Sequence, residues 1–148
     1  MYGHQMDTEE GLLVGLFSGP SNSDEDFTRY VDSLLQGAKQ SNSAKPQIAV
    51  LVVDRDNPPP NAYWRKRIAE ATSHIGGNGG LFVLSAESPL IRGVLTAINW
   101  IRPPTYEVKI VASPDEMLEV LATRSDVART AAARMLAELR AEARQSTR

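Results

Sequence analysis

The chain contains no cysteine, which excludes a disulfide framework, a thiolate metal site and a cysteine nucleophile together. Histidine occurs only at His4 and His74, so little is available for acid–base work near neutral pH. Aromatic residues make up 6% of the sequence, and none lies within the arginine-rich C-terminal stretch to stack a nucleobase. No apolar run approaches the roughly 20 residues that a membrane-spanning helix needs. Met1 to Glu10 is polar and acidic, with neither a basic stretch nor an apolar centre, so it does not read as a secretory signal. Lack of cysteine is compatible with a reducing compartment, and a cytoplasmic location is the expectation.

What remains is an ordinary globular composition, 42% apolar and 23% charged over 148 residues, enough for one domain with its own core. The net charge of −2 gives no reason to expect nucleic acid as a partner. Charge is unevenly placed, however. Acids (Asp7, Glu9, Glu10, Asp24, Glu25, Asp26, Asp32) dominate the first 32 positions, against Arg29 alone. Beyond Ser125 the chain is rich in alanine and arginine, which reads as a solvated helical face.

Four apolar runs of strand length alternate with helix-like stretches: Leu12 to Phe17, Ile48 to Val53, Leu81 to Leu84 and Val108 to Val111. The second and third are apolar on both faces, as expected of central parallel strands covered on each side. Tyr2 to Met6 is a further edge strand, turning through Asp7 to Gly11. Ser23 predicts a helix cap, with Asp24, Glu25 and Asp26 in a first turn whose dipole favours acids. Asn61 predicts the cap of a second helix, striped by Trp64, Ile68, Ala71 and Ile75. Ser88-Pro89 opens a third, whose wide apolar arc predicts the most buried helix of the molecule. Ser113-Pro114-Asp115-Glu116 is a capping box opening a fourth. A fifth helix, from Ser125-Asp126, carries a thin stripe (Ala128, Ala132, Met135, Leu139). It is expected to pack lightly, to pair with another chain or to fray, and its removal is expected to leave residues 1–124 folded.

This alternation predicts an α/β fold, with a mainly parallel sheet of four to five strands flanked by helices and an extra C-terminal helix over residues 125–148. Ligands of open α/β sheets sit beyond the carboxyl ends of the strands, which directs attention to Ser18 to Ser23, Asp54 to Asn61 and Ser85 to Pro89. Gly76-Gly77-Asn78-Gly79-Gly80 follows a helix and enters a strand, the position of a helix stop rather than a phosphate cradle, and it lacks a phosphate-loop lysine. Asp54 caps its turn or bonds Arg55 or Asn61. No nucleophile–base pair, metal-ligand set or cofactor motif can be assembled.

The order of elements resembles the STAS domain, the fold of the anti-sigma-factor antagonists, and bacterial STAS-like proteins of unknown role. The likeness rests on a hairpin ending in Phe17-Ser18-Gly19, a buried strand ending in Asp54, and the stretch Leu81 to Val120. That stretch carries Arg92-Gly93-Val94, Trp100 and Ser113-Pro114-Asp115-Glu116. The resemblance implies a non-catalytic regulatory module that binds a protein partner. Antagonists are phosphorylated on a serine that opens the helix after the strand ending here at Val53. The corresponding loop, Asp54-Arg55-Asp56-Asn57-Pro58-Pro59-Pro60-Asn61, has no serine or threonine, so that switch is not implied. The expected partner surface comprises Ser18, Asp54, Arg55, Asp56, Asn57, Arg65, Lys66, Arg67, Ser85 and Ser88, with homodimerisation as a further expectation. A second reading holds a small or lipid-like ligand between sheet and helices, using Phe17, Trp64, Leu90 and Trp100. A third is a hydrolase or phosphotransferase resting on Asp54, Asp56 and Ser85.

Overall fold

A computed structural model describes residues 1–40, 46–74, 79–101 and 103–146 of the chain. It begins with a hairpin, β1 (Tyr2–Asp7) antiparallel to β2 (Leu12–Phe17), with Tyr2 opposite Phe17 and Asp7 opposite Leu12. The turn follows from local chemistry. Asp7 Oδ1 accepts the backbone N–H groups of Glu9 and Glu10, both at 3.1 Å, and Gly11 takes a positive φ of 63°. The remainder alternates as α1 (Asp24–Gln40), β3 (Ile48–Val53), α2 (Ala62–Thr72), β4 (Leu81–Ala86), α3 (Pro89–Ile101), β5 (Glu107–Val111), α4 (Pro114–Ala122) and α5 (Asp126–Ser146). The fold is α/β, as the alternation predicts. Ile75, Gly76, Gly77 and Asn78 lie outside the described residues.

The sheet order equals the chain order, β1-β2-β3-β4-β5, and β2 to β5 run parallel. Crossovers that keep one hand while stepping in one direction must all pass over one face. Accordingly α1, α2 and α3 share a face. Phe27, Tyr30, Val31 and Leu34 of α1, Trp64 and Ile68 of α2 and Ile91 of α3 join Leu13, Phe17, Leu51, Val53, Phe82 and Leu84 in one core. The opposite face is closed by α4 and α5. Met117, Leu121, Ala128, Ala132, Met135, Leu136 and Leu139 pack on Leu12, Val14, Leu16, Val50, Val52 and Val83. Period-two side-chain alternation, apolar on both sides, thus fills two cores from the same strands.

Cap chemistry sets the helix starts. Ser23 Oγ accepts the N–H of Asp26 at 3.1 Å while Asp26 Oδ2 accepts that of Ser23 at 2.9 Å, a reciprocal capping box. Asn61 Oδ1 accepts from Trp64 N at 3.0 Å, and Ser113 Oγ from Glu116 N at 3.2 Å.

Two expectations about helices are corrected. α3 is not the most buried helix: Ile91 and Ile98 are buried, while Leu90 is 63% and Trp100 81% exposed. It is the last of the three crossover helices and lies toward the β5 edge, so among the described residues it has neighbours only on its sheet side and its α2 side, however apolar its sequence. α5 packs closely on the sheet rather than lightly. Its small Ala128, Ala131 and Ala132 let the helix approach the strands, and Met135, Leu136 and Leu139 fill the space beyond. The helix covers Leu12, Val14 and Leu16, which its removal would bare.

Candidate functional site

The loops after β2 and β3 close on each other. Asn57, only 4% exposed, donates through Nδ2 to Gly19 O at 3.0 Å, to Ser18 O at 3.3 Å and to Asn22 Oδ1 at 2.9 Å. Asn22 returns a bond from its own Nδ2 to Asn57 Oδ1 at 2.9 Å. These amides satisfy one another and the turn carbonyls, so Ser18 and Asn57 meet in a structural clasp. A sheet whose order never reverses also lacks the switch point at which open α/β folds form a crevice.

Asp54 leaves the end of β3 toward α5, where its carboxylate accepts Arg140 Nη1 at 3.0 and 3.2 Å. Neither Arg55 nor Asn61 is the partner found for its side chain. The pair lines a hollow of about 360 Å3 together with Ser18, Ser21 and Arg144, with Leu16, Pro20 and Ala143 beside them. Arg55 and Asp56 are exposed on the same loop. Ser85 is not in a rim loop. β4 runs on through Ala86, and the Ser85 side chain is 1% exposed, with no hydrogen-bond partner for Oγ among the described residues. Ser88 precedes α3 and accepts Arg92 N through its carbonyl at 3.2 Å.

α1 is anchored by Asp26. Burial pushes this carboxyl up, but the N–H donors of Ser23 and Tyr2, the Arg29 guanidinium and the Met1 amine outweigh burial and hold it down at about 2. His4, in β1, is pulled down by burial and then by Arg29. His74 is exposed beyond α2. Among the described residues no cluster of three His, Asp or Glu could hold a metal ion, and no helix is long and apolar enough to cross a membrane.

The α2–α3 face is built differently from the rim. Arg65 ties its Nη1 to Pro60 O at 2.9 Å, while Lys66 and Arg67 stand exposed. Arg65, Lys66, Ala69 and Glu70 of α2 face Ala97 and Ile98 of α3 across a groove of about 490 Å3. Along α3, Leu90, Gly93, Ala97 and Trp100 recur at spacings of three and four and are all exposed, which places them on one stripe. Among the described residues, an added Cβ at Gly93 would meet no atom within 4 Å. Tyr63 of α2 is 60% exposed.

Beneath the helices lies an apolar slot of about 60 Å3, reached by Phe17, Val53, Phe82, Val94, Leu95 and Ile98. Of the four residues expected to line such a pocket, Phe17 alone does so. Trp64 is buried against Phe27, at 5.4 Å between ring centroids, with Nε1 donating to Asp24 Oδ1 at 2.8 Å. Leu90 and Trp100 point outward. In sequence Leu90 and Trp100 read as apolar residues of a buried face, and their exposure follows instead from the position of α3 toward the edge of the sheet.

No family model, curated protein or solved structure matches the chain.

Proposed function

We propose that this chain is a non-catalytic regulatory module of STAS-like type, working in the cytoplasm, that binds another protein through its α2–α3 face. The observation carrying this reading is the exposed stripe Leu90-Gly93-Ala97-Trp100 beside a groove walled by Arg65 and Lys66. Soluble domains seldom leave large apolar side chains aligned in water without a use. Two bulky residues flanking two small ones form a trough suited to an amphipathic helix, which would lay its apolar face there. Basic Arg65 and Lys66 on the groove wall favour acidic residues on that helix and speed its approach. The loop carrying Arg55 and Asp56 adjoins this surface but offers no comparable apolar anchor.

Two facts weigh against chemistry at the rim: Asp54 is engaged by Arg140, and Ser85 is closed to solvent. A small apolar ligand is the second reading, favoured by the slot under α3. That slot is far below the roughly 300 Å3 of an ordinary ligand site, so α3 would have to lift. Native mass spectrometry of freshly purified protein tests it through a retained non-protein mass.

Partner capture from the source cells, comparing the parent chain with Leu90→Asp/Trp100→Asp and with Arg55→Glu, tests the main reading. The double variant should lose its partner while keeping its thermal midpoint, and Arg55→Glu should retain it. Loss confined to Arg55→Glu would overturn the assignment to α3.

A further inference from the structure

β5 is the outermost strand. It bonds β4 on one side, and among the described residues no strand lies along the other. Exposed edges are normally blunted by charge, because like charges repel an approaching strand. β5 is charged in another way. Glu107 and Lys109 point to the same face, are both exposed, and have opposite sign, with Nζ and Oε1 3.5 Å apart. Between and beyond them Val108 and Ile110, with Tyr106 before the strand, are only partly covered and pack on the α1–α3 core.

A strand of this pattern is complementary to itself. Two copies laid antiparallel about Val108 place Glu107 of each opposite Lys109 of the other. The same register sets Tyr106 opposite Ile110 and Val108 opposite Val108. Each is a favourable cross-strand combination, whether opposite charges, aromatic with β-branched, or branched with branched. Centring instead on Glu107 or on Lys109 sets like charges face to face. The charge pattern therefore attracts a second copy in one register and rejects the neighbouring ones, where a merely protective edge would repel them all.

We propose that this chain forms an antiparallel homodimer through β5, with Val108 on the two-fold axis, joining two five-stranded sheets edge to edge. The α1–α3 face of one copy then continues into that of the other, and the α2–α3 groove stays open. Pro103, Pro104 and Pro114 bracket the strand and keep the pairing short. So small an interface gives a weak dimer, with a dissociation constant on the order of 10–100 μM.

Sedimentation equilibrium over a concentration series tests this on the full chain, on Lys109→Glu, on Glu107→Lys and on an equimolar mixture of the two variants. The parent chain should dimerise as concentration rises. Each variant alone opposes like charges, and its dimer constant should weaken by about tenfold or more. Mixed together they are complementary again, and association should return to the parent level. Thermal melts establish that Glu107→Lys, which also gives up its bond to Arg124, remains folded. A Val108-to-Val108 contact between labelled and unlabelled parent chains, read by isotope-filtered NMR, tests the register without any substitution. The proposal is overturned by a parent chain that stays monomeric, by variants that dimerise as the parent does, or by a mixture that fails to associate. Loss of the dimer in Trp100→Asp but not in Lys109→Glu would move the contact to α3 and also overturn it.

Discussion

Leu139→Ala asks whether α5 is a wall of the core. Leu139 is 3% exposed and belongs to the core between the sheet and the C-terminal helices. It sits so near β1 that a Cβ built on Gly3 would lie 3.3 Å from its Cδ2. Truncating such a side chain forfeits its transfer free energy and leaves a cavity, together about 2–5 kcal/mol. The hydrogen-bonded strands beneath it cannot collapse into the gap, so a value near ~3 kcal/mol is expected. For a domain of this size each kcal/mol moves the thermal midpoint by roughly 2–4 °C, giving a fall of about 6–12 °C. In urea, at a slope of about 2 kcal/mol per molar, the midpoint should drop by roughly 1.5 M. Leu90→Ala is the matched control: that leucine is 63% exposed, and its loss should stay within about 0.5 kcal/mol. Equal shifts for the two variants would refute the packing of α5 on the sheet, whatever their size.

Gly15→Ala should destabilise although alanine is no worse a strand former. A Cβ there would lie 2.7 Å from the Tyr2 hydroxyl and 2.9 Å from its ring. That ring is held by Phe17, Tyr30 and a 2.8 Å bond to Ser33. A loss of about 1–3 kcal/mol in a denaturant melt is expected, and an unchanged midpoint would show that the ring moves freely. Asp26→Asn tests the anchor of α1. Because the folded carboxyl lies at about 2 against an ordinary 3.8, its stabilisation is complete above pH 4 and disappears as pH falls toward 2. It amounts to about 2 kcal/mol. Urea melts between pH 5 and pH 2 should show a shallower decline in the variant, and parallel curves would exclude the assignment. The Asp54–Arg140 pair is about a third exposed on each side, so a double-mutant cycle with Asp54→Ala and Arg140→Ala should give a coupling of at most ~1 kcal/mol. A coupling several times larger would mean that the pair is shielded from water.

Much of this architecture is written locally. Ile48 to Val53, uninterrupted and apolar, is β3 residue for residue, and Leu12 to Phe17 is β2. Asn61 and Ser113 cap the helices expected of them, because a cap needs only a side chain and an N–H three positions on. β4 outruns its expected end at Leu84 because Ser85, although polar, pairs with Val52 inside the sheet. What sequence could not convey was set by neighbours distant along the chain. The partner of Asp54 lies on α5, 86 residues away. The exposure of Trp100 depends on where α3 falls relative to the edge of the sheet. Asn57, within the stretch read as a surface for partners, is instead consumed by Asn22 and the turn after β2.

The one-directional order of the strands has a consequence for how the molecule comes into being. Synthesis delivers α1, α2 and α3 between the strands they cover, so that side of the sheet is roofed as each strand arrives. The reverse side must wait for segments made after β5, and until then Leu12, Val14 and Leu16 remain wet. That interval is when a nascent chain is most prone to stick to its neighbours, and it ends only with the last helix.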